Sequence, residues 1–247
     1  MKHQTPSEFH TRPVYIELVG AGATGSLILA GLVRLHMAIK ELGHPYGMAV
    51  RCWDPDTVSA ANIGRQLFSE QEIGQNKAVT LISRYNYHFG LEWLAEPEKF
   101  SPTKNYESGN VVVISAVDTR KSRASINAGL KQYYNAYLID SGCGKDFGQV
   151  CIGNGSKELP YPWVIHPELL DEKLDTPGNT SCSMADSLER HGLFINQFVA
   201  TGVLEILWQL FRHGGLDYSE LYFNLKTGRM MPKMITEQVS TLDKNPS

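Results

Sequence analysis

Gly20, Gly22 and Gly25 form a G-x-G-x-x-G run. Glycines let a backbone approach a phosphate closely, and the free N–H groups at a helix start face an anion, so this spacing between a strand and a helix suits a nucleotide. Asp54 ends a second apolar run, where a carboxylate accepts from ribose hydroxyls. Asn62, Arg65, Gln66 and Lys77 follow it. A guanidinium is a planar fork for two phosphate oxygens, an ammonium is a compact second charge, and an asparagine amide donates to phosphate. Asp118 follows a third apolar run, at the kind of strand end where open α/β sheets bind ligands. Singly, each has a plainer reading: Asn62 as a turn residue, Arg65 paired with Glu70 or Glu72, Lys77 as a solvated helix charge, Asp118 as a helix cap.

These residues need a frame that brings strand ends together. Strand-like runs fall at Val14–Val19, Met48–Trp53, 91–94, 111–114 and 136–140, and helical patterns at 26–42, 76–87 and 121–134. Strands alternating with helices predict an α/β fold, a mostly parallel sheet with helices on both faces. The four β-branched residues of 111–114 suit a central strand covered on both sides. Beyond Gly144 the pattern changes: 149–152 and 221–225 read as antiparallel strands, 157–183 as a long exposed loop, 187–213 as a long helix and 243–247 as a polar tail. No linker separates two domains, so residues 1–247 are expected to form one, with a nucleotide-binding half over about 14–145 and an acceptor half over about 146–240.

The run Asp54-Pro-Asp-Thr-Val-Ser-Ala-Ala-Asn62-Ile-Gly-Arg65-Gln66, then Gly74 and Lys77-Ala78, resembles the ThiF/MoeB family, which shares the adenylation domain of ubiquitin-activating enzymes. That family reads D-x-D-x-V-x-x-x-N-x-x-R-Q, then a glycine, then K-A, and the resemblance covers about 14–150. It implies a Rossmann-like adenylation fold binding ATP and Mg²⁺, usually as a homodimer; the cytoplasm is expected separately, from an N-terminus without an apolar leader-like run. It implies adenylation of a carboxylate, with a small ubiquitin-like protein as acceptor. Asp54 would hold the ribose, Asn62, Arg65, Gln66 and Lys77 the phosphates, and Asp118 the metal. Asp118 and Arg123 match the family's D-N-x-x-x-R, with Thr119 in place of asparagine, and Ser141-Gly142 match its S-G. Cys182 resembles the loop cysteine that forms a thioester in some relatives; a plain loop cysteine is the equal alternative. The N-terminus is shorter than the family's, with Arg12 as the nearest counterpart of its N-terminal arginine, and the zinc cysteines of many relatives are missing. The compact form looks most like the ThiF-family component of bacterial PRTRC systems.

Composition trims the alternatives. The formal net charge of −3 gives no basic footprint, which argues against nucleic acid and against a modified tRNA base as the acceptor. The longest apolar stretches are interrupted by Arg34 and His36, and by Asn196, Gln197, Glu205 and Gln209, so no membrane span is expected. The cysteines 52, 143, 151 and 182 form no C-x-x-C pair, and the histidines lack the spacing of a helical zinc site. Cys52 and Cys151 read as core, and Cys143 as a small residue near the site. An NAD-dependent oxidoreductase needs no such charge cluster. A nucleotide-binding scaffold without turnover stays open.

Overall fold

The computed structural model describes residues 2–102, 110–133, 135–175 and 192–235. In chain order the elements are β1 (His3–Gln4), α1 (Glu8–Thr11), β2 (Val14–Val19), α2 (Ala23–Glu41), β3 (Met48–Trp53), α3 (Lys77–Phe89), β4 (Leu94–Glu96) and β5 (Val111–Ser115). They continue with α4 (Arg120–Leu130), β6 (Tyr137–Cys143), β7 (Phe147–Gly153), α5 (Pro162–Ile165), α6 (Ile195–His213), β8 (Gly215–Leu216), β9 (Tyr218–Asn224) and β10 (Arg229–Met234).

Among the described residues the main sheet has eight strands in the order β10-β9-β7-β6-β5-β2-β3-β4. From β6 to β4 every pairing is parallel; β7, β9 and β10 add an antiparallel extension. The short β1 pairs with β8 and ties the N-terminus to the end of α6. All five residues of β5 are buried. Its Val112 and Ile114 join one core cluster, with side chains of α2, α3 and α6, while Val111 and Val113 join the other, with Ile126 and Leu130 of α4. That alternation is the signature of a central strand with layers on both faces.

The chain goes from β2 to β3 on one side and to β5 on the other, so the order reverses between β2 and β5. At such a switch point the flanking loops diverge and leave a crevice above the carboxyl ends of the strands. The apolar helix α2 starts on that crevice. It is apolar enough over one window to span a membrane, and half of that window is buried. The reason is packing: a Cβ on Gly31 would lie 2.0 Å from Leu204 Cδ1 of α6.

Helix α6 is described from Ile195, later than the expected start; residues 176–191, and with them Cys182, lie outside the described residues, as does the 243–247 tail. The short strand at the sheet edge starts at Leu94 rather than 91, because Asn86 first closes the turn: its side chain bonds both the N–H and the carbonyl of Trp93. The expected loop at 157–183 contains α5 and two 3-10 turns.

Candidate active site

The crevice holds a cavity of about 420 Å³, lined by Gly20, Gly22, Thr24, Asp54, Arg65, Gln66, Lys77, Asp118, Cys143 and Asn196, with Trp53, Phe100 and Val117 at one side. The three motif glycines do different things there. Gly20 has φ +100, and a Cβ on it would lie 2.5 Å from the Ala116 carbonyl oxygen. A Cβ on Gly25 would lie 1.9 Å from the Gly20 carbonyl oxygen. These two make the turn and the helix–strand contact possible. A Cβ on Gly22, the N-cap of α2, would meet nothing within 4 Å. Its bare backbone faces the cavity at the positive end of a 19-residue helix.

Asp54 is 5 % exposed. Its Oδ2 accepts from the Ala21 N–H at 2.6 Å and its Oδ1 from the Asp56 N–H at 2.8 Å, so it clasps the glycine turn to the end of β3. Burial raises its pKa, against the backbone donors that lower it. Each oxygen keeps a further lone pair for a hydroxyl.

Between Asp54 and α3 the chain makes a closed loop. Asn76 caps α3, accepting from the Val79 N–H, and its Nδ2 donates to the carbonyls of Asp54 and Asp56. Lys77, the first residue of α3, is 8 % exposed and reaches Asp56 Oδ2 at 3.2 Å. Asn62 stands outside the cavity lining. Its Oδ1 accepts from the Ser59 N–H and its carbonyl from the Gln66 N–H. With Gly64 at φ +81 it folds the tight turn that presents Arg65 and Gln66. The Gln66 Oε1 and Arg65 Nε are buried without a hydrogen-bond partner. Glu72 pairs with Arg84 at 2.5 Å, and among the described residues Arg65 has no carboxylate partner. Partial burial lowers the Arg65 pKa, and the guanidinium stays charged.

Asp118 is exposed beyond β5 and has no hydrogen bond or ion pair among the described residues. Thr119 is the N-cap of α4, accepting from the Ser122 N–H at 3.1 Å. Arg123 turns the other way: its Nε donates to Asp140 Oδ1 at 2.9 Å and its Nη2 to the Ser141 carbonyl at 3.0 Å, beneath the strand ends. Ser115 donates to the same Asp140 oxygen at 2.6 Å. This buried pair fixes the spacing of β5 and β6, and sequence spacing gave no sign of Asp140 in it.

Cys143 lines the cavity beside the Thr24 hydroxyl, and burial raises its pKa. Cys52 and Cys151 are buried, as expected of core thiols. Cys151, His166 and Glu220 come together with ligand atoms within 4.8 Å of one another. The Glu220 carboxylate there already receives Lys233, His166 and Tyr222, an internal charge network rather than an open donor set.

The ThiF family profile matches residues 10–234. The chain belongs to the ThiF family. No curated protein sequence matches it. Among solved structures, the ThiF-family chain resembles selenomethionine PaaA at 15 % identity and TM-score 0.58, covering 90 % of this chain and 64 % of that one. It resembles Escherichia coli MccB with ATP at 12 % identity and TM-score 0.58, covering 92 % and 65 %, and MccB with succinimide at 12 % and 0.57, covering 90 % and 63 %. This ThiF-family chain therefore shares their fold and spans under two thirds of the length of those proteins.

Proposed function

We propose that the protein is an ATP-dependent adenylyltransferase acting on a carboxylate, in the cytoplasm, with the C-terminus of a small ubiquitin-like protein as acceptor. The observation that carries this is the Arg65 guanidinium: half-buried, facing the crevice cavity, and without a carboxylate partner among the described residues. A buried cation left without an internal anion suits an external one. A dehydrogenase has no use for it.

The triphosphate lies over the Gly20–Gly25 turn, with Gly22 as the point of closest approach. Arg65 and Lys77 offset the charge that gathers on the phosphate oxygens as pyrophosphate leaves. Gln66 lines the same cavity, where its Nε2 can donate to a phosphate oxygen. Trp53 and Phe100, edge to face at 5.4 Å, offer the purine an apolar wall, and Asp54 offers the ribose an acceptor. Asp118, a lone exposed carboxylate with free coordination sites, fits Mg²⁺, which takes one or two carboxylates plus phosphate oxygens. Bound there, Mg²⁺ supplies positive charge to the phosphates. One carboxylate oxygen of the acceptor attacks the α-phosphorus, the bond to the bridging oxygen breaks, and pyrophosphate departs with the electron pair. The product is a mixed anhydride, on whose acyl carbon a thiolate such as that of Cys182 would form a thioester as the C–O bond breaks and AMP leaves.

One observation favours a second reading, a nucleotide-binding scaffold without turnover. Arg12 lies at the N-terminal end of β2, the far end from the cavity, and six residues of strand separate the two by about 20 Å. A protomer's own Arg12 cannot complete its own site. In a homodimer it would be free to serve a second copy.

The test is ATP–pyrophosphate exchange with Mg²⁺ and small proteins or peptides ending in Gly-Gly. Exchange with one acceptor, lost at least about a hundredfold in Asp118→Ala and Arg65→Ala, is the expected result. ATP binding without exchange for any acceptor would leave the scaffold standing; no ATP binding would remove both readings.

A further inference from the structure

We propose that Asn196, in the first turn of α6, together with that helix's uncapped N-terminus, is the subsite that holds the acceptor's carboxylate. The proposal rests on the adenylation reading above and adds to it the residue that contacts the nucleophile.

The carrying observation is an amide whose oxygen is held inside the protein while its NH₂ opens on the cavity. Asn196 is 6 % exposed and lines the cavity. Its Oδ1 accepts from the Thr24 hydroxyl at 2.9 Å, which turns the Nδ2 away from Thr24. Among the described residues that Nδ2 has no partner. An amide NH₂ that opens on a cavity without a protein partner is free to meet a ligand or a water.

A second observation is independent of the side chain. The N-cap of α6 is Phe194, which provides no side-chain cap. The N–H groups of Gln197 and Phe198 fold back to the Phe194 carbonyl, and those of Ile195 and Asn196 have no acceptor among the described residues. Asn196, in the first turn, is where the positive end of this 19-residue helix meets the cavity.

Both features ask for an anion, and their position says which one. Arg65 and Lys77 come from the loop 54–77, on the wall where β3 ends, while Asn196, Thr24 and Cys143 form the wall where β6 ends. The triphosphate takes the cationic wall. A carboxylate nucleophile is better served by neutral donors, because a full ion pair would tie up the electron pair it must give to phosphorus. One oxygen accepts from the Asn196 Nδ2; the other is left to form the P–O bond as the bridging P–O bond breaks, with no proton transferred.

The wild-type protein, labelled with ¹⁵N at asparagine and loaded with a non-hydrolysable ATP analogue, is titrated with diglycine and, separately, with diglycine amide. The Asn196 side-chain NH₂ signal, identified by its loss in Asn196→Asp, should shift with the carboxylate and not with the amide. No shift, or equal shifts, overturns the proposal, whereas failure of the ATP analogue to bind by calorimetry sinks the nucleotide reading instead. In exchange assays Asn196→Ala should raise the acceptor KM by about tenfold with the ATP KM almost unchanged, while Thr24→Val, which only frees the Asn196 amide to rotate, should raise the acceptor KM by less. A larger effect from Thr24→Val than from Asn196→Ala would make Asn196 a support for Thr24 and overturn the assignment.

Discussion

Gly22 and Gly25 sit three residues apart in one motif, and the structure gives their missing side chains opposite meanings. A methyl at Gly25 would need the Gly20 carbonyl to move, since only 1.9 Å separates them. Gly25→Ala should therefore cost about 2–3 kcal/mol of stability, read as a lower midpoint in urea. A methyl at Gly22 meets nothing within 4 Å and so should leave that midpoint almost unchanged. It stands where phosphate oxygens would approach the backbone, and ATP binding by calorimetry should weaken about tenfold or more. Unchanged ATP affinity in a stable Gly22→Ala would refute the placement of the triphosphate over this turn. Much of the cavity lining could be read from the sequence because motif spacing carries it: Gly20, Gly22, Asp54, Arg65, Gln66, Lys77 and Asp118 all line it. Asn62 belongs to the same motif yet builds the turn behind Arg65, because a motif records which residues are needed and not which of them touch the ligand. Asn196 was legible only as a polar break in an apolar run. Nothing local tells that its helix starts beside Thr24, which is 172 positions away.

At the scale of elements, the parallel strands were readable because burial on both faces forces runs of apolar residues, as in β5. β10 escaped because its sequence, Arg229-Met-Met-Pro-Lys-Met234, includes a proline and leaves most side chains exposed, so no alternation marks it. β1 and β8, two residues each, are too short for any periodicity. The antiparallel extension is pinned to the segment after α5 by charge. Glu220 of β9 is 1 % exposed; its carboxylate takes Lys233 Nζ of β10 and His166 Nε2, each at 3.2 Å, as well as the Tyr222 hydroxyl. His166 Nδ1 faces Glu168 at 3.4 Å. The hydrogen bond to Glu220 is the main cause that raises the His166 pKa, helped by the Glu220 and Glu168 charges and opposed by burial and Lys233. A histidine pKa raised on folding means that the folded state holds the proton more tightly. The pair's stability is then fully present below the unfolded pKa of 6.5 and is lost as pH rises through the higher folded value. Chemical denaturation from pH 6 to pH 8 should show a fall of roughly 1 kcal/mol that His166→Gln removes. An equal fall in the variant would assign it to other groups.

The nucleotide and acceptor halves expected from the sequence share one core. Ile16, Ile28 and Leu32 of the nucleotide half belong to one cluster with Ile152, Val199, Leu207 and Phe223 of the acceptor half. α6 alone contributes Val199, Val203, Ile206, Leu207 and Leu210, each 0 % exposed. At about 1.5–3 kcal/mol per buried aliphatic side chain, those five account for on the order of 10 kcal/mol. That equals the whole net stability of a typical domain, about 5–15 kcal/mol. The two halves should thus unfold together as a single domain. Urea unfolding followed by tryptophan fluorescence and by far-ultraviolet circular dichroism should give coincident curves, since Trp53 and Trp93 report one half and Trp163 and Trp208 the other. A fragment ending at residue 145 keeps the glycine turn, Asp54, Arg65, Lys77 and Asp118, but it strips α6 from α2 and uncovers β6. It should be unfolded or aggregated and bind no ATP, although it carries nearly every motif that identifies the family. A soluble fragment with native circular dichroism and ATP affinity would show that the nucleotide half folds alone and that α6 is an addition to it, in which case Asn196 reaches the cavity from a separate unit.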